Sequence, residues 1–336
     1  MNLEARINAF CRLGDHIKTL QTDEFNALMD AIAYQNLWFT TENIRMALQG
    51  IAKFLNKEDL TTWTSAYQLN PISNKTIGLA MAGNIPLVGF HDFLCVLLAG
   101  HQVKAKLSSA DSILLPHLAS KLITLEPEFG KRIQFDDRLN NVDAVIATGS
   151  DNTSRYFEYY FRNIPHIIRK NRSSCAILDG HEDAEQLAKL GKDIFSYFGL
   201  GCRNVSKLYI PKGYDLVNLF PAWDSFNQII HHHKYLNNYD YQKSILLVNK
   251  IPFYDNGFVL LKEEDAFVSP ISVLFYEFYS NVEELTTKVK GHHEKIQCIV
   301  SREKWFPGSE DFGDAQFPEL TDYADKLDTL AFLEKI

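Results

Sequence analysis

The sequence predicts an α/β protein whose strands are mostly parallel, and three features support this fold class. From about residue 76 onward, short apolar strand patterns alternate with helical patterns. Several of these strands end in Gly, Asn or Ser just before a helix begins. The chain has 336 residues, more than one small core needs, so two domains are expected. Strand–helix alternation implies parallel strands joined by right-handed crossovers, as in a doubly wound nucleotide-binding domain.

The first 70 residues predict a helical segment. Apolar positions recur at three- and four-residue spacing in residues 3–20, 25–33 and 44–55. Thr22 and Thr40 each precede acidic residues and can cap a helix N-terminus. After Pro71 the pattern changes to α/β alternation. Strands are predicted at 76–82, 103–107, 132–135 and 143–148, and helices at 86–98, 111–125 and 151–161.

A second α/β unit follows a boundary that we place near residue 170. A strand is predicted at 172–178 and a helix at 182–198, before the glycine turn that contains Cys202. Further strands are predicted at 205–210, 257–261, 272–276 and 296–300. Residues 214–249 predict a helical stretch rich in Tyr, His and Asn.

Composition narrows the range of functions. The formal net charge of -8 argues against a nucleic-acid partner, because phosphate contacts need a basic face. The N-terminus lacks a secretory signal pattern, and the best apolar window, residues 85–100, is too short to span a membrane and includes His91 and Asp92. We therefore expect a cytoplasmic protein. The five cysteines are scattered, which fits neither a disulfide framework nor a zinc site.

Cys202 is the candidate nucleophile. Gly199 and Gly201 allow a tight turn and close approach of a ligand, and Arg203 can lower the thiol pKa. The alternative is a buried cysteine that merely follows glycine. The other four cysteines are interpreted as small buried hydrophobic residues. The histidine runs at 231–233 and 292–293 do not converge on one metal ion, so no metal site is predicted.

Three other turns carry candidate binding residues. Asn84 lies between a strand and a helix, where its amide can stabilise an oxyanion or only cap the helix. Lys106 ends a strand, a position suited to a ribose or phosphate, and Ser108 and Ser109 add small donors; a solvated strand end is the alternative. The Thr148-Gly149-Ser150 turn precedes a helix whose free N–H groups can hold a pyrophosphate, although any α/β crossover can end this way.

In this order, the Asn-x-Pro turn, the Lys-x-Ser strand end, the Thr-Gly-Ser turn and the glycine-turn Cys resemble the layout of the aldehyde dehydrogenase superfamily. The sequence more closely resembles the long-chain acyl-CoA reductase (LuxC-like) family of bacterial luminescence. The resemblance covers most of the chain from about residue 75. Its most specific parts are residues 198–206 and the tail, Phe312-Gly313-Asp314-Ala315-Gln316-Phe317-Pro318 with residues 322–329.

The resemblance implies an aldehyde-dehydrogenase-like α/β fold, with a Rossmann-type cofactor domain, a second α/β catalytic domain and a helical N-terminal segment. The corresponding divisions are residues 1–70 packed on the cofactor domain, 71–172 for the dinucleotide-binding domain, 173–305 for the catalytic domain, and 306–336 returning to the domain interface. A homo-oligomer is also expected, because superfamily relatives are usually dimers or tetramers.

The resemblance also implies roles for single residues. Cys202 aligns with the nucleophile and Asn84 with the side-chain member of the oxyanion hole. Lys106 aligns with the lysine at the adenosine ribose, and Gly149 and Ser150 with the pyrophosphate turn. NAD-preferring relatives carry a Glu three positions after that lysine, where this chain has Ser109. A carboxylate would repel a 2′-phosphate and Ser would not, so NADPH is the expected cofactor.

Two departures from the superfamily pattern bear on the reaction. Residues 168–172 replace the motif whose Glu activates water for deacylation, and they contain no carboxylate. At residues 266–270 the Glu-x-Phe-Gly-Pro motif is only partly kept, with Ala266 at the Glu position. The resulting hypothesis is NADPH-dependent reduction of an acyl-CoA or acyl-carrier thioester to an aldehyde, through a thioacyl-enzyme on Cys202. The alternatives are another aldehyde dehydrogenase-type or acyl-phosphate oxidoreductase, and a non-catalytic acyl-binding partner subunit.

Overall fold

The structure is a computed structural model that describes residues 1–20, 22–70 and 73–336. Pro71, where the α/β pattern was predicted to start, lies outside the described residues. The chain forms two compact units: one consists of Met1–Asn171 and Pro318–Ile336, and the other of Arg172–Phe317. Within the described residues, none of the helices has both the length and the apolar character that crossing a membrane requires.

The first unit begins with four helices that precede its sheet. They are α1 (Leu3–Lys18), α2 (Thr22–Ala33), α3 (Thr41–Phe54) and α4 (Lys57–Thr64). The predicted Thr40 cap is present, since its hydroxyl accepts the Asn43 N–H at the start of α3, whereas Thr22 is the first residue of α2 itself. Helix α4 was not predicted, because it is short and only Leu60 and Trp63 supply large apolar side chains to its buried face.

A five-stranded parallel sheet follows the helices, with strand order β3-β2-β1-β4-β5. The elements are β1 (Thr76–Ala80), α5 (Phe90–Leu98), β2 (Gln102–Lys106), α6 (Leu114–Leu125), β3 (Ile133–Phe135), β4 (Ala144–Thr148), α7 (Asp151–Phe161) and β5 (His166–Arg169). This is the order of the first five strands of a doubly wound dinucleotide-binding sheet, in which ligands bind at the carboxyl ends of the strands.

The first unit has one extended hydrophobic core. It contains Phe10 of α1, Ile44 of α3, Leu94 of α5 and Leu122 of α6. Leu330 also belongs to this core, because the chain returns to the unit and forms the short helix α12 (Thr329–Leu333). The N-terminal helices and the C-terminal tail therefore pack with the sheet in a single unit.

The second unit is built on a six-stranded sheet with strand order β11-β6-β7-β10-β9-β8, parallel except for the β8–β9 pair. Its elements are β6 (Ser173–Ile177), α8 (Ala184–Phe195), β7 (Val205–Pro211), α9 (Phe220–Trp223), α10 (His233–Val248), β8 (Tyr254–Asp255), β9 (Leu260–Glu263), β10 (Val273–Tyr279), α11 (Val282–Gly291) and β11 (Ile296–Ser301). Its main core joins Leu190, Leu208, Trp223 and Phe312.

The predicted α/β class and the N-terminal helical segment are confirmed, and the differences are local. The predicted helical stretch 214–249 is broken, because Pro221 starts a new short helix and His232 adopts an extended conformation before α10. The strand β5 was missed because it is only four residues long and directly follows Pro165. A longer apolar run would have been needed to recognise it.

Candidate functional site

The turn that carries Asn84 follows β1 and is packed tightly against the loop after β2. Asn84 itself is exposed. A Cβ atom on Gly83 would lie 2.6 Å from the Ser108 hydroxyl oxygen, so only glycine fits at this point. The Leu87 N–H donates to the Asp111 carboxylate at 2.8 Å. The first unit therefore brings the Asn84 turn and the predicted cofactor residue Ser108 together.

The loop after β2 is also held by the N-terminal helical segment. The Gln35 amide donates to the Ser109 carbonyl at 3.0 Å, and the Asn36 amide donates to the Ala110 carbonyl at 3.2 Å. Burial raises the pKa of Asp111 to about 6, against the N–H donation from Leu87, which lowers it. These contacts order the backbone around the predicted cofactor residues from both sides.

Lys106, the last residue of β2, opens onto a cleft of about 500 Å³. The cleft extends from the ends of β1 and β2 along the sheet to α7. Its other described lining residues are Ala80, Asp137, Arg138, Leu139, Asn140, Asn141, Val142, Tyr156, Phe157, Tyr160, Phe161 and Ile164. Two cations and several aromatic rings therefore border one cavity of the size that small-molecule ligands occupy.

The cleft exists because residues 136–143 connect β3 to β4 without a helix. In doubly wound folds a helix usually covers this face of the sheet. Arg138 lies on this connection and is exposed, and no carboxylate pairs with its guanidinium within the part of the chain that is described. Sequence reasoning missed Arg138, since a single Arg in a polar loop carries no signal of its own.

The Thr148-Gly149-Ser150 turn begins α7. Thr148 ends β4, and the Ser150 hydroxyl accepts the Thr153 N–H at 3.3 Å as the N-cap of the helix. A Cβ atom on Gly149 would lie 3.0 Å from the Thr153 side chain, which makes glycine the fitting residue there. The turn thus has the helix N-terminus that anion binding needs, while the Ser150 hydroxyl already serves as a cap.

Cys202 lies in the second unit, in the turn between α8 and β7, and its side chain is half-buried. The chain enters this turn through three successive residues in the left-handed region: Tyr197 with φ 51°, Phe198 with φ 59° and Gly199 with φ 76°. For residues other than glycine this conformation costs roughly 1–2 kcal/mol each. Strain of this kind persists only where surrounding contacts determine the backbone, and it clusters at functional sites.

Asn204 supplies those contacts. It is buried, with 1% of its surface exposed. Its Oδ1 accepts the Gly201 N–H at 2.8 Å, and its Nδ2 donates to the carbonyls of Asp193 at 3.1 Å and Ser196 at 2.8 Å. A third carbonyl, that of Ile194, lies 3.4 Å from the same nitrogen. One side chain therefore satisfies the carboxyl end of α8 and fixes the turn at the same time.

The backbone of Cys202 is anchored from β6. The Ser174 hydroxyl donates to the Cys202 carbonyl at 3.1 Å, and it also contacts the Cys298 sulfur at 3.0 Å. Burial raises the pKa of Cys298 to about 11, and it likewise raises the pKa values of Cys11, Cys95 and Cys175. Burial thus favours the protonated form of these four thiols; Cys95 and Cys175 are buried, as the sequence predicts, whereas Cys11 and Cys298 are half-buried.

Asp193 ties the chain tail to the same turn. Its carboxylate is fully buried and accepts the N–H groups of Gly313 at 2.7 Å and Ala315 at 3.1 Å. Burial raises the pKa of Asp193 to about 7, although these two N–H donors lower it. Arg203 donates to the Ala315 carbonyl at 3.4 Å. The tail that the sequence singles out therefore lies beside Cys202, through an acidic anchor that the sequence did not reveal.

Residues 168–172 are occupied with structural contacts. Arg169 is buried and forms an ion pair with Asp92, and its Nη2 donates to the Thr329 hydroxyl at 2.9 Å. Lys170 is exposed and pairs with Glu158 at 3.1 Å. Arg172 donates to the Ile296 carbonyl at 3.2 Å. The cationic side chains of this stretch therefore form structural contacts, Arg169 and Lys170 within the first unit and Arg172 within the second.

The predicted residues fall into two groups. Asn84, Lys106, Ser108, Ser109 and the 148–150 turn belong to the first unit, where the Asn84 turn and Ser108 are in contact. Cys202 belongs to the second unit. Among the described residues, no group of three or more His, Cys, Asp or Glu side chains is placed to hold a metal ion.

This architecture is similar to that of solved structures, although sequence comparisons find no relative. No protein-family model and no curated protein sequence matches the chain. Solved structures do match. The NAD+ complex of an aldehyde dehydrogenase from Bacillus cereus has a TM-score of 0.63 at 14% identity, covering 90% of this chain and 72% of that one. The NAD+ complex of a Mycobacterium tuberculosis aldehyde dehydrogenase has a TM-score of 0.64 at 14% identity, covering 90% and 73%.

A third match is a mutant of aldehyde dehydrogenase C from Pseudomonas syringae, in complex with NAD+ and octanal. Its TM-score is 0.65 at 12% identity, and the match covers 94% of this chain and 74% of that one. Identities this low establish architecture and leave chemistry to be argued from the site. The chain has the aldehyde dehydrogenase fold, with its helical N-terminal segment, its parallel five-stranded sheet and its second α/β unit.

Proposed function

We propose that this protein is an aldehyde dehydrogenase-type oxidoreductase that reduces acyl thioesters to aldehydes with NADPH. The acyl group is an acyl-CoA or acyl-carrier thioester and is held as a thioacyl-enzyme on Cys202. One observation carries the proposal: in this fold, a strained turn braced by Asn204 presents a half-buried cysteine between helix and strand. A merely structural cysteine would not need such a turn.

Cys202 acts as the nucleophile. Its thiolate attacks the thioester carbonyl, the carbon–sulfur bond to the leaving thiol breaks, and a new thioester forms on the enzyme. Anchoring of the Cys202 carbonyl by Ser174 and of the Gly201 N–H by Asn204 fixes the backbone that carries the sulfur. Fixing the reacting group in advance lowers the entropic cost of reaching the transition state.

Two donors serve the oxyanion in this proposal: the Asn84 side-chain amide and the Cys202 backbone N–H. Each such donor is worth roughly 3–4 kcal/mol in comparable sites. The tight packing of Gly83 on Ser108 and the Leu87–Asp111 hydrogen bond hold the Asn84 turn in place. A rigid turn suits an oxyanion donor, since no reorganisation is then needed as charge develops.

The reductive direction is supported by residues 168–172. Hydrolysis of the acyl-enzyme would need a carboxylate to activate water, and this stretch supplies Arg169, Lys170 and Arg172 instead. With no activated water, the thioacyl group persists until it is reduced. Collapse of the resulting thiohemiacetal restores the Cys202 thiolate and releases the aldehyde.

The residues of the first unit fit a dinucleotide cofactor. Lys106 would contact the adenosine ribose, Ser108 and Ser109 would add donors there, and the 148–150 turn would hold the pyrophosphate at the α7 N-terminus. NADPH, when bound, supplies the hydride that reduces the thioacyl group. The B. cereus and M. tuberculosis structures that match this chain are NAD+ complexes.

The choice of NADPH rests on charge. Ser109 stands where a carboxylate would repel a 2′-phosphate, and Lys106 shares its cleft with the exposed guanidinium of Arg138. Lys106 and Arg138 outnumber the one carboxylate among the described lining residues, that of Asp137, which favours an extra phosphate because Arg and Lys both bind phosphate oxygens strongly. Tyr156 and Tyr160, 65% and 71% exposed, offer rings on which a base can stack.

The test is a panel of acyl-CoAs of increasing chain length with NADPH or NADH, followed by absorbance of the reduced nicotinamide and by aldehyde detection. We expect thioester-dependent oxidation of NADPH, with a lower kcat/KM for NADH. Arg138→Gln should lower the preference for NADPH by about tenfold, the loss of roughly one charge-assisted hydrogen bond. The exposed Arg162→Gln, which does not line the cleft, is the matched control.

Intact-mass spectrometry separates the remaining possibilities. Incubation with an acyl-CoA should add one acyl group in the parent protein and none in Cys202→Ala. An adduct without NADPH oxidation would indicate a non-catalytic acyl-binding subunit. Activity only with free aldehydes or acyl phosphates would indicate another oxidoreductase of this fold. Full thioester reduction by Cys202→Ala would refute the proposed intermediate.

The domain division, the assembly, the cellular location and the family membership of the protein are part of the same proposal. It includes the division into residues 1–70, 71–172, 173–305 and 306–336, a homo-oligomeric assembly, a cytoplasmic location and membership of the LuxC-like acyl-CoA reductases. Size-exclusion chromatography with light scattering tests the assembly directly. A monomer at micromolar concentration would contradict that part and leave the chemistry of Cys202 unaffected.

A further inference from the structure

A second cleft lies among the N-terminal helices, and none of its described lining residues is assigned to the reaction. It has a volume of about 590 Å³ and is bordered by the end of α1, the start of α2 and one face of α3. Its described lining residues are Ile17, Lys18, Leu20, Thr22, Phe25, Arg45, Leu48, Gln49, Ala52, Lys53 and Asn56. All belong to the first unit.

The cleft has an apolar floor. Ile17, Phe25, Leu48 and Ala52 are buried and belong to the main core of the unit, and Leu20 packs against that core. A floor of aliphatic and aromatic side chains removes apolar ligand surface from water, which stabilises binding in proportion to the area covered. A purely polar ligand would leave this floor without a partner.

The rim of the cleft is cationic. Lys18, Arg45 and Lys53 border it, and no carboxylate lies among its described lining residues. Lys18 pairs with Asp15 at 3.4 Å, but both side chains are more than half exposed, so the pair is weak. Within the described residues, Arg45 and Lys53 form no ion pair, and the Arg45 guanidinium lies 4.8 Å from the centre of the Phe25 ring.

This charge distribution runs against that of the whole chain. The protein carries a formal net charge of -8, so a cluster of three cations, with no carboxylate among the described residues that line the cleft, is a local reversal of sign. Such a rim attracts anions and disfavours cations. The position of Arg45 over Phe25 places the positive group at the edge of the apolar floor, where a ligand's charged head would leave its apolar body.

We infer that this cleft binds a single-chain amphiphile with an anionic head group. The head is held by Arg45, Lys53 and Lys18, and the chain covers Phe25 and Leu48. A volume of about 590 Å³ lies in the range of small-molecule pockets, which suits a chain of about twelve carbons with a carboxylate or phosphate head. The inference does not rest on the proposed reaction.

The probes are dodecanoate, dodecyl phosphate, dodecanol and dodecyltrimethylammonium, each titrated below its micelle concentration into the full-length protein by isothermal calorimetry. We expect both anions to bind saturably with one site. The neutral alcohol should bind at least tenfold more weakly, and the cation should not bind. Binding of the cation as tightly as the anions, or no saturable binding of either anion, would overturn the inference.

A double variant, Arg45→Gln with Lys53→Gln, should weaken dodecanoate at least tenfold and leave the affinity for dodecanol within twofold. Both side chains are exposed, so the fold should be kept. Lys290→Gln with Lys295→Gln makes the same charge change at exposed positions of the second unit and should leave dodecanoate binding unchanged. Equal loss in the control pair, or none in the test pair, would contradict the assigned head-group site.

The position of the chain is tested separately. A dodecanoate analogue with a terminal photoreactive diazirine should label residues 17–25 and 45–56, as mapped by peptide mass spectrometry. This readout distinguishes the cleft from the acyl site proposed at Cys202. Labelling confined to peptides around residue 202 would overturn the inference about the cleft and would at the same time support the proposed reaction.

Discussion

The turn that carries Asn84 and the turn that carries Cys202 follow different plans. The Asn84 turn depends on a glycine at the point of closest approach, Gly83, and has one non-glycine residue with positive φ, Leu87. The Cys202 turn places two bulky residues in succession, Tyr197 and Phe198, in the left-handed region. The first turn follows from local residue choice, and the second requires support from outside itself.

That support is a buried polar network. Asn204 joins the end of α8 to the turn, and Asp193 joins the same helix to the chain tail at Gly313 and Ala315. Buried polar groups stabilise a structure only when their hydrogen bonds are complete, and then they determine one conformation. The contrast suggests that the position of the Cys202 sulfur is controlled more strictly than that of the Asn84 amide.

The largest expected effect is that of Asn204→Ala. The change leaves the Gly201 N–H and at least two helix carbonyls without their partner in a buried site. At about 1–3 kcal/mol per unsatisfied buried group, the free energy of unfolding should fall by roughly 3 kcal/mol or more. Urea unfolding measures this loss.

Asn249→Ala is the matched control for that change, because its exposed amide donates to a single helix carbonyl, that of Ile245, at 2.9 Å. It should change the free energy of unfolding by less than about 0.5 kcal/mol. Similar losses in the two variants would mean that the Asn204 network does not support the Cys202 turn.

The second effect is kinetic. Asn84→Ala removes the proposed oxyanion donor from an exposed position. We expect kcat to fall by about 100- to 1,000-fold, as for loss of one oxyanion donor elsewhere. The melting temperature should stay within about 2 °C, because surface substitutions cost little stability. A fall in melting temperature that matches the loss of activity would assign Asn84 a structural role instead.

These two variants also show what the sequence could and could not predict. The strand–helix alternation and the Thr40 cap depend on residues close in sequence, and both are present in the structure. Asp193 acts on residues 313 and 315, more than a hundred positions away, and Asn204 reaches back across an irregular turn to the end of α8, a contact that has no helix or strand period. Periodicity and capping rules describe neighbours along the chain, so they carry no information about such contacts.

The Lys106 cleft illustrates the same limit. The position of Lys106 at a strand end was evident from the sequence, whereas the cleft depends on a missing helix between β3 and β4. A short polar connection between two strands has the same sequence pattern whether or not a cavity lies beneath it. Only the packing of α7 against the sheet shows that Arg138 and Lys106 border one space.

A smaller effect concerns pH. The pKa of Asp193 is raised from 3.8 to about 7 by burial, so the native state binds a proton that the unfolded state has lost. The stability from this group is therefore complete below about pH 4 and is lost as pH rises through about 7. Between pH 5 and 8 the free energy of unfolding should decline by about 2–3 kcal/mol through Asp193.

Asp193→Asn removes this titration, so the difference between parent and variant should shrink as pH rises. Unfolding in urea at pH 5, 6, 7 and 8 measures the difference directly, with the exposed Asp240→Asn as a control that should show no such trend. A difference that instead stays constant from pH 5 to 8 would mean that the N–H groups of Gly313 and Ala315 outweigh burial and keep Asp193 ionised throughout this range.

The smallest effect separates strain at the Cys202 turn from strain elsewhere. Gly199 has φ 76° and space for a Cβ atom, whose nearest neighbour would be the Ile194 carbonyl oxygen at 3.7 Å, so Gly199→Ala should cost only the backbone term of about 1 kcal/mol. Lys250 has φ 55° at the end of α10, where its N–H donates to the Leu247 carbonyl at 3.1 Å, and Lys250→Gly should gain about the same amount. Thermal unfolding measures both shifts.

Thioester reductase activity should fall only in Gly199→Ala, because the cost there displaces the backbone that presents Cys202. Unchanged activity in that variant would show that the left-handed residues before Cys202 shape the turn without positioning its sulfur.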